Sequence, residues 1–551
     1  MVTKGNLVKR STFLIVCSAA AITVAGPAWA QGDNADVRRS GPVTIAPYIE
    51  ASQVVTTELS PGSDTVTYTQ LATGVDAQVT GRNTGGSASI RYERTFGYDD
   101  KVSDSSTLSG VIRGYGSIVP QAITIEGGAL ATRVRVRADG STAFEGLGDQ
   151  AAESKTYAAY VGPNIHTELG DAQVNANYRL GYTRVDAPEV TPLAPGTQSP
   201  DIFDDSWSQS ANIHIGTRPG QPLPVGVGVG AGYTREDIST LDQRAEDFHA
   251  RADVTVPLSS SLAAVGGIGY ENVQVSSRDA LRDANDVPIL DGAGRYITDS
   301  NSPRIMAYDV SGLIWDVGVM WRPSPRTSFE AHVGRRYDST TYYGSFAWAP
   351  NSRSALNVSA YDGITGFGGQ LTNALAGLPT DFSANRNPIT GDMTGCVASL
   401  QGGGCLTGAL GSVRSATFRG RGIAATYSER VGRTSAGIGA GYDRRTFIAA
   451  PGTVLASANG VVDESYWASV YASGEIDRRS SFMVNAHVNW LKSGFNNRAD
   501  ATIYGASAAY RRYLIQGLSA NAAIAVDRID SDVVGETLST AAARLGLRYD
   551  F

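Results

Sequence analysis

Five histidines (His166, His214, His249, His332 and His487) and two downstream cysteines (Cys396 and Cys405) are the side chains best suited to acid–base, nucleophilic or metal chemistry. None stands in a spacing that such chemistry uses. There is no His-Glu-x-x-His pair for zinc and no Gly-x-Ser-x-Gly elbow for an acyl-transfer serine. Gly226-Val227-Gly228-Val229-Gly230 superficially suggests a phosphate loop, but no helical pattern follows it, and it reads better as a strand with a glycine inner face. The cysteines have a Gly-rich stretch between them, and in an oxidising compartment they are expected to form a local disulfide. A metal site there lacks a nearby histidine.

What the histidines share is phase. Each falls on the polar side of a segment in which apolar and polar residues alternate, and so do Asp76, Arg91, Arg113, Arg179, Arg251, Asp253, Asp316, Glu330, Arg336, Arg544 and Arg548. Successive strand side chains point to opposite faces, so these residues are expected to share one face of a sheet. Three uses of that face compete. It can be a solvated, charge-balanced wall, or a selectivity zone in which opposed basic and acidic ladders set a field across a pore. The third is the wall of a hydrolase, for which His249 and His487 are the residues to test. No catalytic, cofactor or metal role is assigned to any of them, and no enzyme is expected.

The elements that must carry this face are strands. Leu71, Thr73, Val75, Ala77 and Val79 alternate with polar or small residues, as do Val174, Ala176, Tyr178, Leu180 and Tyr182. The same pattern runs through Phe248 to Val256 and through Phe482 to Trp490. From Val43 to Phe551 we count about 22 such segments (roughly 18 to 24), most about 9 to 15 residues long, the length a tilted strand needs to cross a bilayer. Their connections alternate between short turns, such as Val119–Ala122, Leu169–Ala172, Leu258–Ser261 and Tyr513–Gly517, and longer polar stretches. The longer class includes residues 134–153, 186–205, 276–305 and 362–414. An even strand number with this asymmetry predicts an all-β fold: a transmembrane, antiparallel, up-and-down β-barrel. A β-sandwich would need larger core residues than the Ala and Gly seen here.

Aromatic placement supports the same fold. Tyr157, Tyr182, Trp207, Tyr233, Phe248, Tyr270, Tyr442, Tyr466, Trp490 and Tyr504 occupy outward positions at the long-loop ends of successive segments, with Trp321, Trp348, Tyr549 and Phe551 at the turn ends. Rings that are apolar at one end and wet at the other favour a membrane interface.

The chain has 551 residues and a formal charge of −7. It has no run of roughly 20 apolar residues, which excludes a helical membrane protein. Residues 1–30 read as a signal peptide: Lys4, Lys9 and Arg10, an apolar stretch from Phe13 to Val24, then the small-x-small site Ala28-Trp29-Ala30. Residues 31–42 form a short periplasmic segment, too short for a plug domain, and the barrel occupies 43–551. Two features sit awkwardly: Pro163 lies inside a strand, where it cannot donate a ladder hydrogen bond, and alternation weakens over residues 338–361. The 362–414 loop, apolar from Leu371 to Leu378, is expected to fold into or over the barrel mouth.

Leu545, Leu547, Tyr549 and Phe551 alternate up to the last residue, which resembles the terminal signal read by the outer-membrane barrel assembly machinery. The stretch Gly312-Leu313-Ile314-Trp315-Asp316-Val317-Gly318-Val319-Met320-Trp321-Arg322-Pro323-Ser324-Pro325-Arg326-Thr327-Ser328-Phe329-Glu330 runs on to Gly334-Arg335-Arg336-Tyr337. It resembles a hairpin of poorly characterised barrels associated with exopolysaccharide and exosortase-type surface systems, and Ala46-Pro47-Tyr48-Ile49-Glu50-Ala51 is similar to their first strand. Relatives sometimes labelled preprotein translocase subunit YajC carry a misnomer, since nothing after residue 30 resembles that small one-helix protein. The resemblance implies an outer-membrane location and a porin-like channel or surface export or uptake pore for a solute or polysaccharide. It supplies no ligand or catalytic residues. A structural or surface-interaction barrel with a loop-closed lumen is the alternative. Outer-membrane lipid and the assembly machinery are the expected partners, with no cofactor and no nucleic acid.

Overall fold

The computed structural model describes residues 43–98, 102, 104–136, 142–143, 153–186, 202–291, 295–399, 404–495, 500–531 and 537–551. The signal peptide with Ala28 and Ala30, and the 31–42 segment, lie outside these residues. Alternation becomes strand almost everywhere it was read. The first strands are β1 (Val43–Ser60), β2 (Thr65–Thr80), β3 (Thr84–Gly97), β4 (Ser105–Val119), β5 (Ile123–Val136), β6 (Glu153–Leu169), β7 (Ala172–Asp186) and β8 (Asp205–Thr217). There follow β9 (Gly226–Ile238), β10 (Gln243–Pro257), β11 (Leu262–Ser277), β12 (Ile305–Ser324), β13 (Thr327–Arg336), β14 (Ser339–Asn351) and β15 (Ser354–Thr365). The last seven are β16 (Phe418–Val431), β17 (Thr434–Phe447), β18 (Val462–Glu475), β19 (Ser480–Lys492), β20 (Ala501–Ile515), β21 (Leu518–Ser531) and β22 (Leu538–Asp550).

Each strand pairs antiparallel with its neighbours in sequence, and β1 pairs with β22 from Tyr48↔Asp550 to Ser60↔Ser539, closing the sheet into a ring. Closure removes the unpaired edges that an open sheet would expose. Among the described residues no helix is long and apolar enough to cross a membrane.

The weakly alternating stretch forms β14 and β15, both within the ring. Pro163 stays in β6: its pair and that of Gly162 are missing from the β6–β7 ladder, which resumes in the same register at Asn164↔Asn177. The long loop is displaced toward the C-terminus, starting after Thr365 rather than at 362 and running to 417 rather than 414, because β15 runs to Thr365 and β16 starts at Phe418, and those two residues pair directly. The β13–β14 connection is only Tyr337–Asp338, both with left-handed φ (53° and 51°). Such a turn suits the twist of a hairpin but costs non-glycine residues. Tyr337 is held there by its O–H on Asp247 (2.8 Å) and its N–H on Glu271 (2.5 Å).

The two faces differ as the phase requires. Ile45, Leu313, Ile524 and Leu545 are each more than three-fifths exposed on the outer face. On that face Tyr182 stacks near Trp207 and Tyr442 near Tyr466, each pair with ring centroids 4.8 Å apart. These residues are direct cross-strand partners, so outward aromatics line up across adjacent strands.

Candidate functional site

The inner wall and the loop it encloses are the candidate site. The described residues of the 366–417 segment fold into the ring. Helix α1 (Phe367–Gly377) presents Phe367, Leu371 and Leu375 to wall residues Val111, Leu130, Ala158, Tyr160, Val185 and Ile238. After it, Ser383–Arg386, Met393–Ala398 and Gly404–Cys405 make a small antiparallel sheet. Cys396 and Cys405 face each other in that sheet and are joined as the expected disulfide. Further along, Ile389 packs on Val54, Ala523, Ala525 and Ala542, so the loop reaches β1, β21 and β22. The described residues of this loop thus pack on the inward face of the strands.

Polar contacts fix it as firmly. Gly366 and Gly369 N–H donate to the Glu236 carboxylate at 2.7 and 2.9 Å, and the Thr365 and Ser206 hydroxyls donate to it at 3.0 Å. A carboxylate at a helix N-terminus is stabilised by the orphan N–H groups and the dipole there. Arg133 grips Asp392 (2.6 Å), and the Arg386 guanidinium donates to Ser89 and Ser109 on β3 and β4.

All sixteen sequence-selected lumen residues follow the inward phase, and the structure gathers most of them into three networks. On β8 to β14, Asp316 takes Arg251 (2.7 Å), His332 Nδ1 (2.8 Å) and the Tyr343 O–H (3.3 Å). His332 Nε2 reaches Glu330 (3.1 Å), and its ring stacks on Tyr343 at 4.6 Å. His214 Nε2 pairs with Asp253 (3.0 Å), and Arg336 bridges Asp247 (2.8 Å) and Glu271 (3.0 Å). His249 lies 3.6 Å from Asp247. The second network joins Arg91 to Glu50 (3.1 Å) and Glu93 (2.7 Å), with Arg544 also on Glu50. Arg548, beside it, reaches Asp550 (2.7 Å) and Asp76 (3.6 Å). In the third, Arg113 and Arg179 share Glu126, each at 3.5 Å, and Arg179 also donates to Asn373 of α1 (3.0 Å). His166 meets Asn175, and His487 on β19 faces Asp527.

Basic and acidic residues do not form opposed ladders; they are interleaved along the same arcs, where adjacent strands bring each cation to a carboxylate. That arrangement minimises the cost of withdrawing charges from water. Among the described residues no group of three or more His, Cys, Asp or Glu is placed to hold a metal ion. His249 on β10 and His487 on β19 lie on different arcs of the ring.

The glycine inner face has a specific use. A Cβ on Gly228 would stand 2.6 Å from His214 Nε2, one on Gly318 2.5 Å from His332 Nδ1, and one on Gly505 2.8 Å from His487 Cε1. Each of these imidazoles lies flat over a neighbouring strand because that strand offers no side chain. Sequence reading missed Glu50, Glu93, Glu126, Asp247 and Glu271, the acidic halves of the ion pairs, and Glu236, which takes the N–H groups at the start of α1. Their inward phase was the available signal.

No family model matches this chain, and no curated protein does. Among solved structures it is similar to the open form of the ferric-catecholate import receptor Fiu from E. coli K12, at 10% identity over 92% of this chain and 81% of that one, with a TM-score of 0.41. The FrpB iron transporter from Neisseria meningitidis gives 11%, 92%, 81% and 0.41. A loop-deletion mutant of OmpT, an outer membrane protein of Vibrio cholerae, gives 8% identity over 93% of this chain and 100% of that one, with a TM-score of 0.27. These likenesses are loose, and the description of the ring rests on its own strand pairings.

Proposed function

We propose that this chain is an outer-membrane β-barrel that acts as a porin-like channel, with residues 366–417 as its internal constriction. One observation carries the reading. A closed antiparallel ring exposes apolar side chains on its outside and encloses a polar, ion-paired wall, the inverse of a water-soluble sheet protein. An exposed apolar surface of this extent calls for lipid. The chain would arrive by its signal peptide and be inserted by the barrel assembly machinery, which would read the strand ending in Phe551. It would use no cofactor and catalyse no reaction. Its cargo would be a small polar solute or, as the hairpin resemblance suggests, a surface polysaccharide in transit. Planar-bilayer recording of the refolded protein tests this: discrete conductance steps that enlarge when residues 366–417 are deleted are expected. Silence from both proteins at every voltage would refute the channel.

The second reading is a barrel closed by its own loop that serves structure or surface contacts. It is favoured by the apolar packing of Phe367, Leu371 and Leu375 on the wall, which is tighter than a loosely hung flap would need. Silence from the intact protein alone, with current from the deletion, would select it.

A further inference from the structure

Outside the ring, directly beyond the aromatic row on the long-loop side, runs a row of charges. Strand register places Arg421, Arg444, Glu464 and Lys492 side by side on β16 to β19. One pair nearer the turn side, the same registers align Ile423, Tyr442, Tyr466 and Trp490. The charged row faces the same way as the aromatics and lies one step closer to the loops. Arg419 stands one further step out, and it and Arg421 share the fully buried Asp362 carboxylate at 2.7 and 3.2 Å. Glu464 is engaged from below by the Tyr442 and Tyr466 hydroxyls (2.8 and 3.4 Å). Arg444 and Lys492 are exposed, and the Lys492 ammonium lies 5.6 Å from the Tyr466 ring centre. Beside Lys492, Asp500 just before β20 takes the Ser493 N–H (3.1 Å), so four cations face three carboxylates: Asp362, Glu464 and Asp500. In two other sectors the equivalent positions are balanced: Arg184 pairs in register with Asp205, and Arg235 with Glu246, each beyond its own aromatic pair.

An excess of cations above an aromatic row has a physical partner. If Tyr442, Tyr466 and Trp490 sit at the headgroup level, the next position outward meets the headgroups themselves. Guanidinium and ammonium groups there would meet phosphate oxygens with charge-assisted hydrogen bonds. We infer that the β16–β19 sector binds a phosphate-bearing lipid headgroup in the leaflet on the loop side, with Arg444 and Lys492 as its free contacts and Arg419 and Arg421 as a positive backing fixed by Asp362. This rests on the membrane-spanning reading above.

The test uses the refolded full chain in phosphatidylcholine vesicles containing either lipid A, a glycolipid with phosphate monoesters, or its dephosphorylated form. Lipid retained by the protein after detergent extraction is counted by native mass spectrometry. Retention of the phosphorylated lipid alone is expected. Arg444→Ala combined with Lys492→Ala should weaken it roughly 30-fold, the effect of two cations at about 1 kcal/mol each. Arg184→Ala in the balanced sector should leave it unchanged. Equal retention of both lipids, or an unaltered double variant, would overturn the inference while leaving the barrel intact. Failure of the wild-type chain to enter vesicles would overturn the membrane reading and this inference together.

Discussion

Glu236, a residue of the wall, caps a helix that belongs to the loop: its carboxylate takes the N–H of Gly369 at 2.9 Å while also holding that of Gly366. The helix has no cap of its own, since Gly366 offers no side chain and no acid lies in its first turn. The loop's position inside the ring thus depends on an acceptor some 130 residues earlier in the chain.

Glu236→Ala should free the start of α1. Leaving two buried N–H groups without an acceptor costs about 1–3 kcal/mol. Limited trypsin digestion should then cut at Arg386 under conditions that spare the parent, and current through a bilayer should become noisier. Equal protection of Arg386 in both proteins would contradict the latch.

Gly318→Ala should disturb His332, because the new methyl falls where Nδ1 lies. Overpacking of this kind costs about 1–3 kcal/mol. A lowered temperature for loss of the compact form on unheated gels is the expected readout, with partial recovery when His332→Ala is added. No recovery would mean that the glycine serves the backbone rather than the imidazole.

Arg544→Ala leaves Glu50 with one cation in place of two, in a setting where both side chains are less than a tenth exposed. Breaking a buried pair costs about 3–5 kcal/mol, here reduced because Arg91 remains. In a double-mutant cycle with Glu50→Gln, the second change should cost less than it does alone. Additive losses would show that the pair is not coupled.

Reduction of the Cys396–Cys405 disulfide, or Cys396→Ser with Cys405→Ser, should loosen the loop and leave the ring standing, because both cysteines lie in the small inner sheet and neither lies in a wall strand. Closing so short a segment contributes about 2–3 kcal/mol. Hydrogen exchange should rise over residues 383–411 and stay unchanged in β1 and β22. Global unfolding on reduction would show that the loop supports the wall.

Deletion of Phe551 should impair insertion. Its N–H donates to Pro47 O (3.1 Å) and its ring rests 5.0 Å from Tyr549, so it ends the outward series at the closing seam. Less heat-modifiable barrel in the membrane fraction, with export to the periplasm intact, is expected. Normal amounts would remove the assembly role.

Much of this was legible in the sequence because a period of two is unforgiving: one slip would turn every side chain to the wrong face. The inward placement of His487 and Arg548 and the outward placement of Trp490 and Phe551 follow from parity alone. Loop 362–414 was legible as a filler of the mouth, through its low charge and its cysteines, but its helix was not foreseen. The spacing of Phe367, Leu371, Leu375 and Leu378 carried that signal, in a stretch whose three glycines weigh against a helix. Partner choice was beyond reach. That Arg251 meets Asp316, or that His214 lies over Gly228, depends on the register between strands, and no single strand contains that information.

The pairing of Thr365 with Phe418 makes the loop an insertion in the strict sense. Remove what lies between them and β15 and β16 become an ordinary hairpin, with no wall residue changing its neighbour. The ring and the segment that fills it are thus written in separable stretches of chain. A different insert, longer, shorter or differently charged, can be exchanged into the same ring as a cassette, so the interior can change without the fold having to be relearned.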